Sequence, residues 1–135
     1  MTLEELNEYN IIKAHIEQCR DKIREISSET IRSPIFDTSG ISNSPSSRNP
    51  TEEKYIRAMA KKEMYEQQIV EDMEKITRIE KYISSIRDRR TRMIFEMRIY
   101  ENEKFFKIAM KFGGRNTEDS VKNIFYRYLK HNPRG

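Results

Sequence analysis

Residues 105–129, FFKIAMKFGGRNTEDSVKNIFYRYL, decide the fold of this chain. Apolar residues in the first part follow the spacing i, i+3, i+4 and i+7, which places them on one helix face. They are Phe105, Ile108, Ala109 and Phe112. Gly113 and Gly114 tolerate the positive φ that a sharp turn out of a helix needs. A second helical pattern follows, with Val121, Ile124, Phe125, Tyr128 and Leu129. The stretch therefore predicts a helix-turn-helix.

Charge is distributed unevenly along the chain. Residues 84–135 contain thirteen Lys or Arg and six Asp or Glu, a net charge of +7. Residues 1–83 contain thirteen basic and sixteen acidic residues, a net charge of −3. Because Lys and Arg replace the counterions condensed on phosphates, a basic helix-turn-helix suits a polyanion. We expect residues 84–135 to bind double-stranded DNA and the rest of the chain to contact protein.

Composition favours an all-α fold. Charged residues make up 36% of the 135 residues, and there are only four Gly and four Pro. This balance is typical of long, solvent-exposed helices and leaves too little chain for a large enzyme core. We predict a long N-terminal helical hairpin or coiled coil, followed by a C-terminal trihelical helix-turn-helix domain.

Several classes of function lack a signature in the sequence. No run of about twenty apolar residues predicts a membrane span, and the acidic N-terminus does not resemble a secretion signal, so we expect a cytoplasmic protein without a membrane partner. His15 and His131 have no Cys or His at metal-ligand spacing, and no Gly-rich phosphate loop is present. We therefore expect neither an enzyme nor a bound cofactor or metal. The single cysteine, Cys19, is interpreted as a small core residue.

The N-terminal half contains a narrow apolar stripe on one helix. Consecutive members of the stripe lie three or four residues apart. They are Leu3, Leu6, Tyr9, Ile12, Ile16, Cys19, Ile23 and Ile26. Residues 27–50 are rich in Ser, Thr and Pro and predict a linker, within which Ile35 and Phe36 are the bulky pair that can dock on a helix.

A second long helix is predicted to follow this linker. Thr51 is its predicted N-cap, and the helix should continue to about Ser84. The two long helices can form an antiparallel hairpin or a seam between two chains, because both arrangements bury the same stripe. We expect a homodimer through these helices, with a domain division between residues 1–83 and 84–135.

Asp88 is the predicted N-cap of a further helix that precedes the helix-turn-helix. This helix is apolar on two sides, which indicates that it is sandwiched between other helices. We expect some of its arginines to contact phosphates and others to pair with acids of the long helix. The predicted core of residues 84–135 contains Met97, Phe105, Ile108, Ala109, Phe112, Val121, Ile124 and Leu129.

Residues 98–109, RIYENEKFFKIA, together with Asp88 and Arg92, carry a resemblance to a known family. They resemble region four of bacterial sigma factors and, more closely, the phage late-transcription regulators of the RinA and ArpU type. Three features depart from the sigma pattern: Lys107 replaces an acid, Asn102 replaces a turn glycine, and the turn before Val121 is longer, as in the phage relatives. The resemblance implies a phage- or prophage-encoded regulator of late genes, acting in the bacterial host with host RNA polymerase as a partner.

The polar face of the last helix supplies the candidate base contacts. Asn can bind adenine, Arg or Lys can bind guanine, and Tyr can contact a phosphate or a thymine methyl. Cations of the preceding helix and of the turn are placed for phosphates. The candidate DNA-binding residues are Lys104, Lys107, Lys111, Arg115, Asn116, Lys122, Asn123, Tyr126, Arg127 and Lys130. Lys122, Asn123 and Arg127 are the leading candidates for base contacts.

Two other functions fit the same features. A DNA-packaging protein of the small-terminase kind also joins a helix-turn-helix to oligomerising helices, but there the DNA-binding module usually comes first. A helical adaptor would use the basic face to bind an acidic protein and would not bind DNA. The order of the modules in this chain favours the regulator.

Overall fold

The computed structural model describes the backbone of residues 1–32 and 50–134, and the side chains of residues 1–29 and 51–134. Every regular element in these ranges is a helix, as the composition predicts. The α-helices are α1 Leu3–Asn7, α2 Tyr9–Arg32, α3 Pro50–Ser84, α4 Arg89–Phe95, α5 Phe105–Phe112 and α6 Glu118–His131. A π-helical turn, Glu96–Tyr100, follows α4 directly.

The predicted bounds of the linker, residues 27 and 50, differ from the observed end of α2 and the observed start of α3. Helix α2 continues to Arg32, because residues 27–32 contain neither Gly nor Pro, and Ser and Thr weaken a helix only slightly. Helix α3 already begins at Pro50, so the predicted N-cap at Thr51 is wrong. Proline suits a first helical position, where its missing N–H would have no intrahelical partner. Residues 33–49, with Ile35 and Phe36, lie outside the described residues.

The chain divides into two compact units. The first, the helix-turn-helix unit, combines Met1–Ala14 with Asp72–Gly135. The second consists of His15–Glu71. The sequence predicts a division between residues 83 and 84, whereas the helix-turn-helix unit also includes the first fourteen residues and the end of α3.

Aromatic rings in mutual contact form the core of the helix-turn-helix unit. The ring centroids of Phe95 and Phe125 are 4.4 Å apart, and those of Phe105 and Phe125 are 5.3 Å apart. Of the predicted core, four residues are buried and four are half-buried, because the latter lie at the edges of their helix faces. The buried ones are Phe105, Ile108, Ala109 and Val121. The half-buried ones are Met97, Phe112, Ile124 and Leu129.

The start of the chain packs against this core. The Tyr9 ring centroid lies 5.0 Å from that of Tyr100, at the end of the π-helical turn. The Tyr9 hydroxyl donates a hydrogen bond to Glu80 Oε1 on α3, at 3.0 Å. Burial raises the pKa of Tyr9, and its bond to Glu80 acts in the same direction. Helices α2 and α3 therefore contact each other within one chain, the first of the two predicted arrangements.

In the second unit, α2 also contacts α3. Cys19 is buried, as predicted for a core residue. Its Sγ lies 3.6 Å from His15 Nε2 and 3.6 Å from Gln68 Oε1. Tyr55 and Ile56, near the start of α3, are exposed.

The predicted cap of α4 is confirmed. Asp88 Oδ2 accepts hydrogen bonds from the backbone N–H of Thr91 at 3.0 Å and from its hydroxyl at 2.7 Å. These bonds from Thr91, the hydroxyl first, lower the pKa of Asp88. Asn102, between the π-helical turn and α5, has a φ of 54°, the left-handed conformation that asparagine tolerates.

None of the helices in the described ranges is long and apolar enough to cross a membrane.

Candidate nucleic-acid interface

The turn between α5 and α6 depends on two glycines and one asparagine. Gly113 and Gly114 have φ values of 68° and 62°, as predicted from their position. A Cβ at either position would meet no atom within 4 Å, so the backbone conformation, and not space, favours glycine. Asn116 Nδ2 donates to the Gly113 carbonyl oxygen at 2.8 Å, while its Oδ1 accepts a hydrogen bond from Arg90 on α4. The Asn116 side chain thus joins the turn to α4.

The start of α6 is fixed by a reciprocal cap. Thr117 Oγ1 accepts from the Ser120 backbone N–H at 3.1 Å, and Ser120 Oγ accepts from the Thr117 backbone N–H at 2.9 Å. These bonds satisfy N–H groups that have no intrahelical partner. The helix therefore begins at Glu118, which sets the rotational position of every later residue on it.

Small and branched side chains form the contact between α5 and α6. Ile108 and Val121 are fully buried, and Ala109 is 4% exposed. Phe125 lies one turn after Val121 on the same face of α6 and is also buried. Because one face of α6 is held in the core, the opposite face is directed away from it.

The exposed residues of α6 form what we call the recognition face. Its members are four exposed residues between the acidic first turn of α6 and its last residue, His131: Asn123, Tyr126, Arg127 and Lys130. Within the described part of the chain, the side chains of Asn123, Arg127 and Lys130 make neither a hydrogen bond nor an ion pair. Their donors and acceptors are therefore available for a ligand.

Acidic residues occupy the first turn of α6. Glu118 and Asp119 are exposed there and favour the helix through its dipole, although they disfavour a phosphate at this end. Glu118 Oε1 lies 3.3 Å from Lys122 Nζ. Lys122, a leading candidate from the sequence, is therefore half-buried and paired, and the unpaired positive charge of α6 lies at Arg127 and Lys130.

The candidate phosphate-binding residues divide into two groups. Lys104, Lys107 and Arg115 are exposed, and no described acidic side chain lies within ion-pair distance of them. Lys111 Nζ instead lies 3.3 Å from Glu103 Oε1 and 3.7 Å from Glu101 Oε2. Together with Asn116, whose amide holds the turn, Lys111 is already engaged inside the unit.

Several arginines before α5 have structural contacts. Arg98 lies over the Phe105 ring, with its guanidinium carbon 4.3 Å from the centroid, and donates to the Glu103 carbonyl oxygen at 3.0 Å. Arg92 donates to the Ile86 carbonyl oxygen at 3.1 Å. Among the described residues, neither arginine forms an ion pair with an acid of α3. Arg92 pairs with Glu96 instead, at 3.7 Å between Nε and Oε1.

The contact of Arg90 with Asn116 leaves no signal in the local sequence pattern. The two residues are 26 positions apart and come close only because the turn folds back onto α4. Arg90 and Asn116 line a shallow depression together with Asp88, Met93 and Phe112, among others.

The interface as a whole presents separate donors and cations on a rigid helical support. Such a surface suits noncovalent binding of an extended anion. In residues 1–32 and 50–134, no group of three or more His, Cys, Asp or Glu is arranged to hold a metal ion. Comparison of the chain with protein-family models, with curated proteins and with solved structures finds no match.

Proposed function

We propose that this chain is a sequence-specific DNA-binding transcription regulator that inserts α6 into the major groove. The observation that carries the proposal is the recognition face, which offers Asn123 and Arg127 without partners of their own. An α-helix fits the major groove, where every base pair displays a different set of donors and acceptors. Asparagine matches adenine and arginine matches guanine in this groove.

Cations beside α6 support the proposal. Lys104 and Lys107 on α5 and Arg115 in the turn are exposed and free of acidic partners among the described residues. Contacts to phosphates fix the position of a protein on the duplex without selecting a sequence. The net charge of +7 for residues 84–135 adds a general attraction to the polyanion.

The resemblance to phage late-transcription regulators supports the biological setting. We propose that the chain is phage- or prophage-encoded, acts on late genes in the cytoplasm of a bacterial host, and meets host RNA polymerase. Helices α2 and α3 are proposed to provide self-association or the contact with that partner. In this proposal the two ends of the chain have different tasks, consistent with their opposite net charges of −3 and +7.

Selection from randomised duplexes tests the proposal. The full chain, incubated with a random duplex library at moderate salt, should enrich a defined motif. A variant carrying both Asn123→Ala and Arg127→Ala should enrich it poorly, while a control with Asn7→Ala and Arg57→Ala, exposed residues outside the recognition face, should enrich it normally. Failure of the unsubstituted chain to bind any duplex would leave the helical adaptor as the better explanation.

The mass of the protein in solution separates the regulator from a packaging protein. A monomer or dimer fits regulation. A closed ring of many subunits would favour the small-terminase kind of function, because a ring needs repeated head-to-tail interfaces.

A further inference from the structure

Tyr126 lies on the recognition face, but its ring is held by the core. The side chain is 44% exposed. Its ring centroid is 5.9 Å from that of Phe105 and 5.2 Å from that of Phe125, and both phenylalanines are buried. Contacts with two buried rings restrict the orientation of the Tyr126 ring. The exposed part of this ring is therefore presented in a defined direction before any ligand binds.

The position of Tyr126 on α6 places it in the middle of the recognition face. It lies three residues after Asn123 and four residues before Lys130, and residues at these spacings are neighbours on one helix face. For a helix lying in the major groove, the middle of the exposed face meets base edges, whereas its flanks approach phosphates. Within the described residues the Tyr126 hydroxyl makes no hydrogen bond, so the ring packing alone holds the side chain.

The apolar ring has one matching group among the bases in the major groove. That group is the 5-methyl of thymine, since the other features there are hydrogen-bond donors and acceptors. We infer that Tyr126 is a specificity-determining residue that packs its ring against a thymine methyl, next to the base contacted by Asn123. This inference rests on the proposed function and narrows the DNA site to one containing A·T pairs.

Deoxyuridine substitution tests the inference, because it removes only the methyl group. Each thymine of a duplex selected by the full chain is replaced singly, and binding is measured for the unsubstituted chain, Tyr126→Phe and Tyr126→Ala. Tyr55→Ala is the matched control, since Tyr55 is similarly exposed, at 48%, but lies in the second unit. At one thymine, loss of the methyl should weaken binding about fourfold, the value of burying one such group.

The variants should respond differently at that thymine. The unsubstituted chain, Tyr126→Phe and Tyr55→Ala should all show the fourfold loss, as they keep the Tyr126 position aromatic. Tyr126→Ala should bind the thymine and deoxyuridine duplexes equally. Thermal melting of each variant confirms that it is folded, and Tyr126→Phe keeps the core packing in any case.

Three results would overturn the inference. If Tyr126→Phe and Tyr126→Ala weaken DNA binding equally and deoxyuridine has no effect, the Tyr126 hydroxyl contacts a phosphate instead. If deoxyuridine still weakens binding of the Tyr126→Ala variant, a different residue contacts the thymine methyl. If the unsubstituted chain binds no duplex at all, the proposed function fails and the inference fails with it. If the chain binds a specific duplex but gives either of the two results above, only the inference about Tyr126 fails.

Discussion

The side-chain amide of Asn10 donates a hydrogen bond to the backbone carbonyl oxygen of Ile99, at 2.9 Å. Ile99 lies in the π-helical turn, close to its end, where carbonyl groups lack a partner within the helix. Asn10 supplies that partner from α2, and the adjacent Tyr9 packs on Tyr100. The beginning of the chain is thereby tied to the segment that leads into α5, so it contributes to the fold that positions the recognition face.

Asn10→Ala should destabilise the helix-turn-helix unit. The variant leaves the partly buried Ile99 carbonyl without its donor, which costs about 1 kcal/mol. Urea unfolding followed by circular dichroism measures the loss. The control is Asn7→Ala, an exposed asparagine on α1. Equal unfolding midpoints for the two variants would show that the bond contributes nothing.

Ala109→Leu should overpack the contact between α5 and α6. Ala109 is buried beside fully buried side chains, so the larger residue can be accommodated only by shifting the helices apart. The expected loss is about 1–3 kcal/mol of unfolding free energy. Met110→Leu, at a position that is 65% exposed, should melt like the parent. If Ala109→Leu also melts like the parent, Ala109 does not lie in the contact between α5 and α6.

Tyr82 should make stability fall in alkali. Burial, with a smaller contribution from the charge of Tyr128, raises the pKa of Tyr82 to about 12, and its hydroxyl donates to the Asn132 carbonyl oxygen at 2.7 Å. In the unfolded chain a tyrosine ionises near pH 10. A raised folded-state pKa therefore gives stability that is complete below about pH 10 and is lost as the pH rises toward 12.

The pH dependence is measured as the urea midpoint at a series of pH values. Tyr82→Phe has no hydroxyl to ionise and should show a shallower fall above about pH 10. Some dependence should remain, because burial also raises the pKa of Tyr100 to about 12. Identical slopes for parent and variant would contradict the assignment to Tyr82.

Local patterns explain why the helix-turn-helix could be predicted. The spacing of Phe105, Ile108 and Ala109 and the two turn glycines each concern residues within one or two helical turns. The cap at Asp88 and the left-handed backbone conformation of Asn102 depend on neighbours in the same way. Short-range geometry of this kind is recorded directly in the sequence.

Contacts between distant positions could not be predicted. The bonds from Asn10 to Ile99 and from Arg90 to Asn116 join residues 89 and 26 positions apart. Both require the fold to be formed before the partners meet. The ion pair between Lys111 and Glu103 joins α5 to the segment before it. Because helical spacing alone does not show this pair, the sequence predicts that Lys111 binds phosphates, although its charge is already paired.

Lys107 and Lys111 should affect DNA binding unequally. Lys107→Ala should weaken all duplexes similarly and reduce the salt dependence of binding by about one unit, because a phosphate contact releases about one counterion. Lys111→Ala should have a smaller effect, since this lysine lies between Glu101 and Glu103. Binding constants over a range of salt concentrations give both slopes. A larger effect of Lys111→Ala would mean that its ion pairs break when the protein meets DNA.

We propose that the recognition face of α6 selects a DNA sequence. Asn123→Ala and Arg127→Ala each remove one proposed base contact and leave the buried face of α6 intact. Each variant should therefore weaken the selected duplex by about 1–3 kcal/mol and change binding to an unrelated duplex little.

Fluorescence anisotropy with the selected and an unrelated duplex, at one moderate salt concentration, measures this difference most directly. We expect the ratio of the two affinities to fall for both variants and to stay at the parent value for Arg57→Ala, an exposed arginine of α3. Unchanged ratios for Asn123→Ala and Arg127→Ala would show that α6 does not select the DNA sequence.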